Sequence, residues 1–299
     1  MKKLLTISVG ILLLSATAVA APLVLPSGPL YLQYNNLEQV NVANTIVVPG
    51  YAPAVGTQGN WGVLNVSSIQ FGGVASSHSD ISGGTAFFSD DGPGGSQGQV
   101  TGIFYGIQIL PGGTRATGGT VDLFWHDAGT DTITTACMTG AAPCGPNAAT
   151  VAAFTSGTFL VRLNFASGII AGNSTVTLES STDVGAVGTP GHSDGFANVS
   201  LTQTGPWTAP FNGDWFFVDP NGNGTSGEPG ETRDLRFSTF YNSNDNWDGA
   251  PGSGTEGLRS NDPARVFAAP ETSTLSLLVL ALGGIGMVNL RKKTRGINS

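Results

Sequence analysis

Lysine is missing from the whole interior of this sequence: all four lysines stand near the two ends, as Lys2, Lys3, Lys292 and Lys293. Between Ala21 and Ala269, 6 arginines face 19 aspartates and glutamates, a balance that repels phosphate backbones and anionic lipid. Nucleic acid is thereby excluded as an expected partner. Charge of either sign is scarce, at 11% of residues against a usual value of roughly 25%, which leaves little to clothe helix surfaces. Histidine occurs only as His78, His126 and His192, and cysteine only as Cys137 and Cys144. The cysteines lack the C-x-x-C spacing and nearby histidines that a zinc or redox pair needs. In an oxidising compartment they are expected to close a small surface loop as a disulfide.

Glycine is what the chain has instead, 44 of 299 residues. Glycine, proline, aspartate and serine cluster between short apolar runs and supply the positive-φ and fixed-φ positions that turns require. The runs read as strands at Trp61 to Gln70, Gln99 to Leu110, Gly119 to His126, Thr158 to Phe165, Ser174 to Ser180, Gly195 to Thr202, Asp214 to Val218 and Arg233 to Tyr241. In the clearest, Phe159, Val161, Leu163 and Phe165 alternate with Thr158, Leu160, Arg162 and Asn164, a period of two that sends one face into a core. No interior segment shows a comparable helical period. The expected fold is all-β, a β-sandwich or jelly roll in one domain spanning 21–269, with linker-like stretches at Thr182 to Pro190 and Ala250 to Asn261.

The ends carry an address. Met1-Lys2-Lys3 is a basic start, Leu4 to Leu14 is apolar, and Ala18-Val19-Ala20 offers the small residues that a signal peptidase accepts, so residues 1–20 read as a signal helix cleaved before Ala21. At the other end Leu275 to Leu290 is uncharged and largely apolar, and Arg291, Lys292, Lys293 and Arg295 follow, a basic tip that stays cytoplasmic by the positive-inside rule. This reads as a C-terminal transmembrane helix of marginal spanning length. Ahead of it stands Pro270-Glu271-Thr272-Ser273-Thr274. That motif, an apolar helix containing Gly283-Gly284, and the basic finish resemble the PEP-CTERM sorting signal of bacterial exported proteins, with Thr272 at the place of the usual second proline. The resemblance covers 270–299 and implies processing by an exosortase, transient residence in the inner membrane, and delivery to the cell surface or beyond.

Three further features suggest chemistry. Asp219, Asn221 and Asn223, followed by Gly224, place oxygen-bearing side chains at alternate positions before a glycine, as Ca²⁺ loops do; the expected affinity is weak because one ligand alone is charged. Gly94-Gly95-Ser96-Gln97-Gly98 fits the nucleophile-elbow pattern, yet a Gly-rich loop precedes it and a strand follows, the wrong context for a hydrolase serine. No catalytic set is read, and none of the histidines is given a role. Trp207, Phe211, Trp215, Phe216, Phe217, Phe237, Phe240, Tyr241 and Trp247 concentrate aromatics that are either core or a stacking surface for sugar rings. The PEP-CTERM resemblance, whose family accompanies exopolysaccharide production, implies a structural or adhesive component of the envelope or exopolysaccharide matrix. A carbohydrate-binding module, with extracellular polysaccharide as its partner, is the alternative, and a secreted hydrolase the third.

Overall fold

A computed structural model of the chain describes residues 22–42, 58–93, 95–130, 133–134, 136–139, 144–182, 190–248 and 254–268. The expected signal segment 1–20, the motif Pro270, Glu271, Thr272, Ser273 and Thr274, and the apolar helix Leu275 to Leu290 lie outside the described residues. Among the described residues no helix is long and apolar enough to cross a membrane.

Fourteen strands are described: β1 Gly28–Val42, β2 Gln58–Phe71, β3 Gly73–Val74, β4 Ile81–Ser82, β5 Ala86–Ser89, β6 Gln99–Ile109, β7 Arg115–His126, β8 Thr158–Ala166, β9 Leu178–Ser180, β10 Gly191–Val199, β11 Phe216–Phe217, β12 Thr232–Arg233, β13 Leu235–Ser243 and β14 Thr255–Ala268. The long strands pair in chain order, β1 with β2, then β6, β7, β8, β10, β13 and β14, and β14 returns to β1 from Gly28↔Ala268 to Asn41↔Thr255. Every pairing is antiparallel, so the result is a closed up-and-down barrel. The all-β expectation holds, but a sandwich or jelly roll is replaced by closure: two packed sheets would leave edges, and here β1 and β14 seal them. The segment Ala250 to Asn261, read as linker-like, in part belongs to β14.

The short strands complete the wall. β8 and β9 lie end to end between β7 and β10: Thr120–Trp125 of β7 faces β8 whereas Arg115 and Ala116 face β9. On the other side, Phe196–Val199 of β10 faces β8 and Ser193–Gly195 faces β9. β5 pairs with β2 beyond the start of β6.

Apolar side chains fill the interior, among them Leu30, Leu32, Leu64, Val66, Val121, Leu163, Leu235 and Val266. The outer wall carries polar groups, such as the bidentate pair of Arg162 with Asp122 (2.7 and 2.6 Å) and the Arg236–Asp194 contact. This is the reverse of a membrane-spanning barrel, which is apolar outside. The inward set changes parity where the ladder slips. On β2 it passes from Leu64 and Val66 to Ile69 across the irregularity opposite Gln33 and Tyr34. On β6 it passes from Val100 and Phe104 to Ile107 and Ile109 across Gly106, whose φ of 73° is open to glycine at little cost.

One end of the barrel is plugged. A short helix, α2 at Thr208–Phe211, brings Phe211 into the interior beside Trp207, whose indole N–H donates to the Leu23 carbonyl (2.8 Å). On the outside of β1, β2 and β6, the connection between β7 and β8 packs Ile133, Met138, Val151 and Phe154 against Leu37, Trp61, Val63 and Ile103. That connection contains the helix α1 at Ala148–Thr155, capped by Asn147, whose side-chain oxygen accepts from Thr150 N–H (3.0 Å). It also contains the Cys137–Cys144 disulfide, as expected, with Cα atoms 5.0 Å apart.

Candidate functional site

β1 sends Leu30, Leu32, Tyr34, Asn36, Glu38 and Val40 to its inner face, so two polar residues interrupt an apolar row. They lie towards the end opposite the α2 plug, where the β6–β7 hairpin also turns. A cavity of about 80 Å³ opens there among Tyr34, Leu64, Phe104, Ile107, Phe165 and Phe237, with Asn36, Glu38 and Asn60 on one wall.

Glu38 is 5% exposed. One carboxylate oxygen accepts from Asn60 Nδ2 (2.8 Å), the other from Ser260 Oγ on the adjoining β14 (2.9 Å), and Asn36 contributes a further side-chain hydrogen bond. Burial raises the Glu38 pKa, and the three hydrogen bonds oppose that rise without cancelling it. The amide oxygens of Asn36 and Asn60 are buried beside the cavity with no hydrogen-bond partner. Unpaired buried acceptors are costly, and a donor reaching this wall would relieve that cost.

The opposite wall is different, because its hydroxyls satisfy one another. Ser180 Oγ lies 2.6 Å from Ser193 Oγ and 3.0 Å from Tyr241 OH, and Tyr241 OH lies 2.8 Å from Thr182 Oγ1. Val40, Ile109, Tyr241 and Leu258 form an apolar cluster toward the same end. The one basic side chain lining the cavity is Arg115, half exposed and 3.8 Å from Glu179.

The residues singled out from sequence lie elsewhere. Asp219, Asn221 and Asn223 sit in the loop of the β11–β12 hairpin, so strands flank the motif as expected. Asp219 accepts from the N–H groups of Gly222 (2.7 Å), Asn223 (3.2 Å) and Gly224 (3.0 Å). Asn221 Nδ2 donates to Glu231 and Asn223 Nδ2 to Glu228. Among the described residues no group of three or more His, Cys, Asp or Glu side chains is placed to hold a metal ion. Ser96 is exposed in the turn before β6, where its N–H and hydroxyl donate to Asp91 and hold that carboxyl below its ordinary pKa. His192 and Asp194 lie on strand β10, and Ser193 between them faces the cavity. His126 is buried against Thr101 (2.8 Å), and His78 stacks on Phe217 at 3.6 Å.

Six of the nine clustered aromatics, Trp207, Phe211, Phe216, Phe237, Tyr241 and Trp247, are buried as core. Trp215 is half-buried against Phe267, which leaves Phe217 and Phe240 as the exposed rings. Glu38, Asn36, Asn60 and Ser260 were missed in the sequence. Their signal is the inner row of β1, where period two continues through residues of the wrong polarity. The chain matches no protein-family profile, no curated protein and no solved structure.

Proposed function

We propose that the chain is exported by its N-terminal signal and sorted by its PEP-CTERM-like tail through an exosortase. On this reading it works as a non-catalytic structural or adhesive component at the cell surface or in the exopolysaccharide matrix, with the barrel as a small-molecule binding module. The observation that carries the binding part is the cavity inside the barrel, apolar on most sides with unpaired acceptors on one. Such a combination is typical of ligand sites. The disulfide fits the oxidising compartment that export implies. A carbohydrate-binding module on the outer surface has less support, since the rings that would stack on sugars are mostly core.

Two measurements test the proposal. Intact mass of protein recovered outside the cytoplasm is expected to show a chain beginning at Ala21 and lacking Leu275 to Ser299. Retention of that tail in cells with a working exosortase would count against sorting. For binding, ligand-observed NMR with a panel of small apolar and amphipathic compounds is expected to find binders that Thr239→Phe, which fills the cavity, no longer holds. A panel without a single binder, or binding indifferent to Thr239→Phe, removes the barrel from the reading.

A further inference from the structure

We infer that the barrel cavity selects a small primary amine, bound as its ammonium form with the nitrogen against Glu38, Asn36 and Asn60 and an apolar body among Leu64, Phe104 and Phe237. The inference rests on the binding reading above and goes further by naming the ligand's chemistry.

Hydrogen-bonding capacity on the Glu38 wall selects the ligand's head group. A carboxylate has about four acceptor sites, and Glu38 uses three, for Asn60, Ser260 and Asn36. One remains, and the amide oxygens of Asn36 and Asn60 add two unpaired acceptors in the same cavity. An ammonium group carries three N–H donors. Its charge answers that of Glu38, where a neutral alcohol brings a single O–H and leaves acceptors unpaired. Anions are disfavoured, because Arg115 is the sole cation lining the cavity and is already beside Glu179 at the rim. Cavity size limits the body: at roughly 10–15 Å³ per water-sized group, about 80 Å³ admits about five to eight such groups.

Charge coupling between the ammonium and Glu38 adds a pH dependence. The titratable groups lining the cavity are Glu38 and Tyr34 on β1, Arg115 on β7 and Tyr241 on β13. Of these, Glu38 is the one carboxyl group, and burial raises its pKa. A bound ammonium favours the ionised carboxylate and draws its pKa down again. Amine affinity therefore rises with pH until Glu38 is ionised in the free protein, then levels off while the amine stays protonated.

The test uses the exported protein with benzylamine and n-pentylamine, each against its neutral isostere, benzyl alcohol and 1-pentanol, by titration calorimetry. At pH 8 each amine is expected to bind at least about tenfold more tightly than its alcohol. Its affinity should fall by up to about tenfold per pH unit on acidification below the Glu38 pKa, while alcohol affinity changes little. In Glu38→Gln the preference for the amine is expected to vanish. Equal affinity of amine and alcohol in the wild type overturns the inference, as does a preference that survives Glu38→Gln. The wild-type pH series decides the matter even if that variant does not fold. Alcohols binding as well as or better than amines would sink the amine assignment alone and leave the binding barrel standing. No binding by any of the four, together with an empty NMR panel, would remove both.

Discussion

Glu38 shows how a single residue can sit against its own fold. A buried carboxylate with a raised pKa is most favourable when protonated, so its contribution to stability is complete below the ordinary glutamate range and is lost as pH rises through the folded-state value. Asp234 behaves alike: burial raises its pKa although it accepts from the N–H groups of Val199 (2.8 Å) and Asp214 (2.9 Å). Glu38→Gln is expected to make the barrel more stable than wild type at pH 7–8 and to flatten its decline with pH, with Asp234 keeping part of the slope. Glutamine fits because the Ser260 hydroxyl can reverse and accept from the new amide. Urea melts across the pH range check this, and wild-type and variant slopes that run parallel would refute it. Gly62 is the opposite case, a position where absence of a side chain is required. A Cβ there would drive into the Leu37 carbonyl oxygen and the Phe104 ring, and the backbone oxygen cannot move aside. Gly62→Ala is expected to cost about 1–3 kcal/mol, read as a lower urea midpoint at unchanged slope.

At the scale of elements, the strands with clean alternation were legible and those that close the barrel were not. The alternation of Phe159, Val161, Leu163 and Phe165 places β8 within a residue of its observed Thr158–Ala166, but Leu160, which that alternation sends to the outer face, is fully buried in the core where the β7–β8 register shifts. The sequence pattern starts β7 at Gly119 and not at Arg115, since Gly118 and Gly119, with φ of 69° and 106°, lie where the inward row changes parity from Ala116 to Val121. β1 was missed because Asn36 and Glu38 point inward while Leu37 points outward under the α1 cover, the inverse of what polarity suggests. β14 was missed because Gly257, Asp262 and Pro263 look like a loop; its long pairing with β1 outweighs their low strand propensity. Without those two strands the remaining run has open edges, which is why a sandwich was the natural expectation. Helix α1 escaped notice for a related reason: Ala148–Thr155 has no apolar stripe, and its burial comes from the disulfide-bearing cover in which it lies. Reducing Cys137–Cys144 is expected to loosen that cover at a cost at or below the roughly 3 kcal/mol of a 15-residue closure. Hydrogen exchange should then rise at α1 before it rises in β7, and uniform exchange would argue that cover and barrel open as one. The Asp219 loop offers a separate test. Its carboxylate already binds three loop N–H groups, so Asp219→Ala is expected to destabilise the β11–β12 hairpin with no ion present. Ca²⁺ bound at Asp219, Asn221 and Asn223 would add a rise worth about 1.4 kcal/mol at ten times Kd, seen as a melting shift in wild type and absent from Asp219→Ala.

The whole molecule has two unlike ends, and the chain termini of the barrel meet at one of them. Gly28, which opens β1, pairs with Ala268, which closes β14, at the end plugged by Trp207 and Phe211. The cavity lies toward the other end, where the hairpin from Ile109 to Arg115 turns. Whatever precedes Gly28 or follows Ala268 therefore starts from the plugged end. If the tail holds the precursor in the inner membrane before an exosortase acts, the plugged end is nearer the bilayer and the cavity faces away from it, open to solutes. The separation is readable: β6 has 11 residues, at about 3.3 Å each and tilted about 40°, which puts the two ends on the order of 28 Å apart. A fluorophore on a cysteine introduced at the exposed Thr202, by the plug, is expected to be quenched by membrane-surface acceptors more strongly than one at Pro111 in the distal hairpin, in exosortase-deficient cells that keep the tail. Equal quenching at both positions would mean that the barrel lies on its side or tumbles freely. Stronger quenching at Pro111 would mean that the cavity faces the membrane, and its ligand would then have to be sought in the lipid.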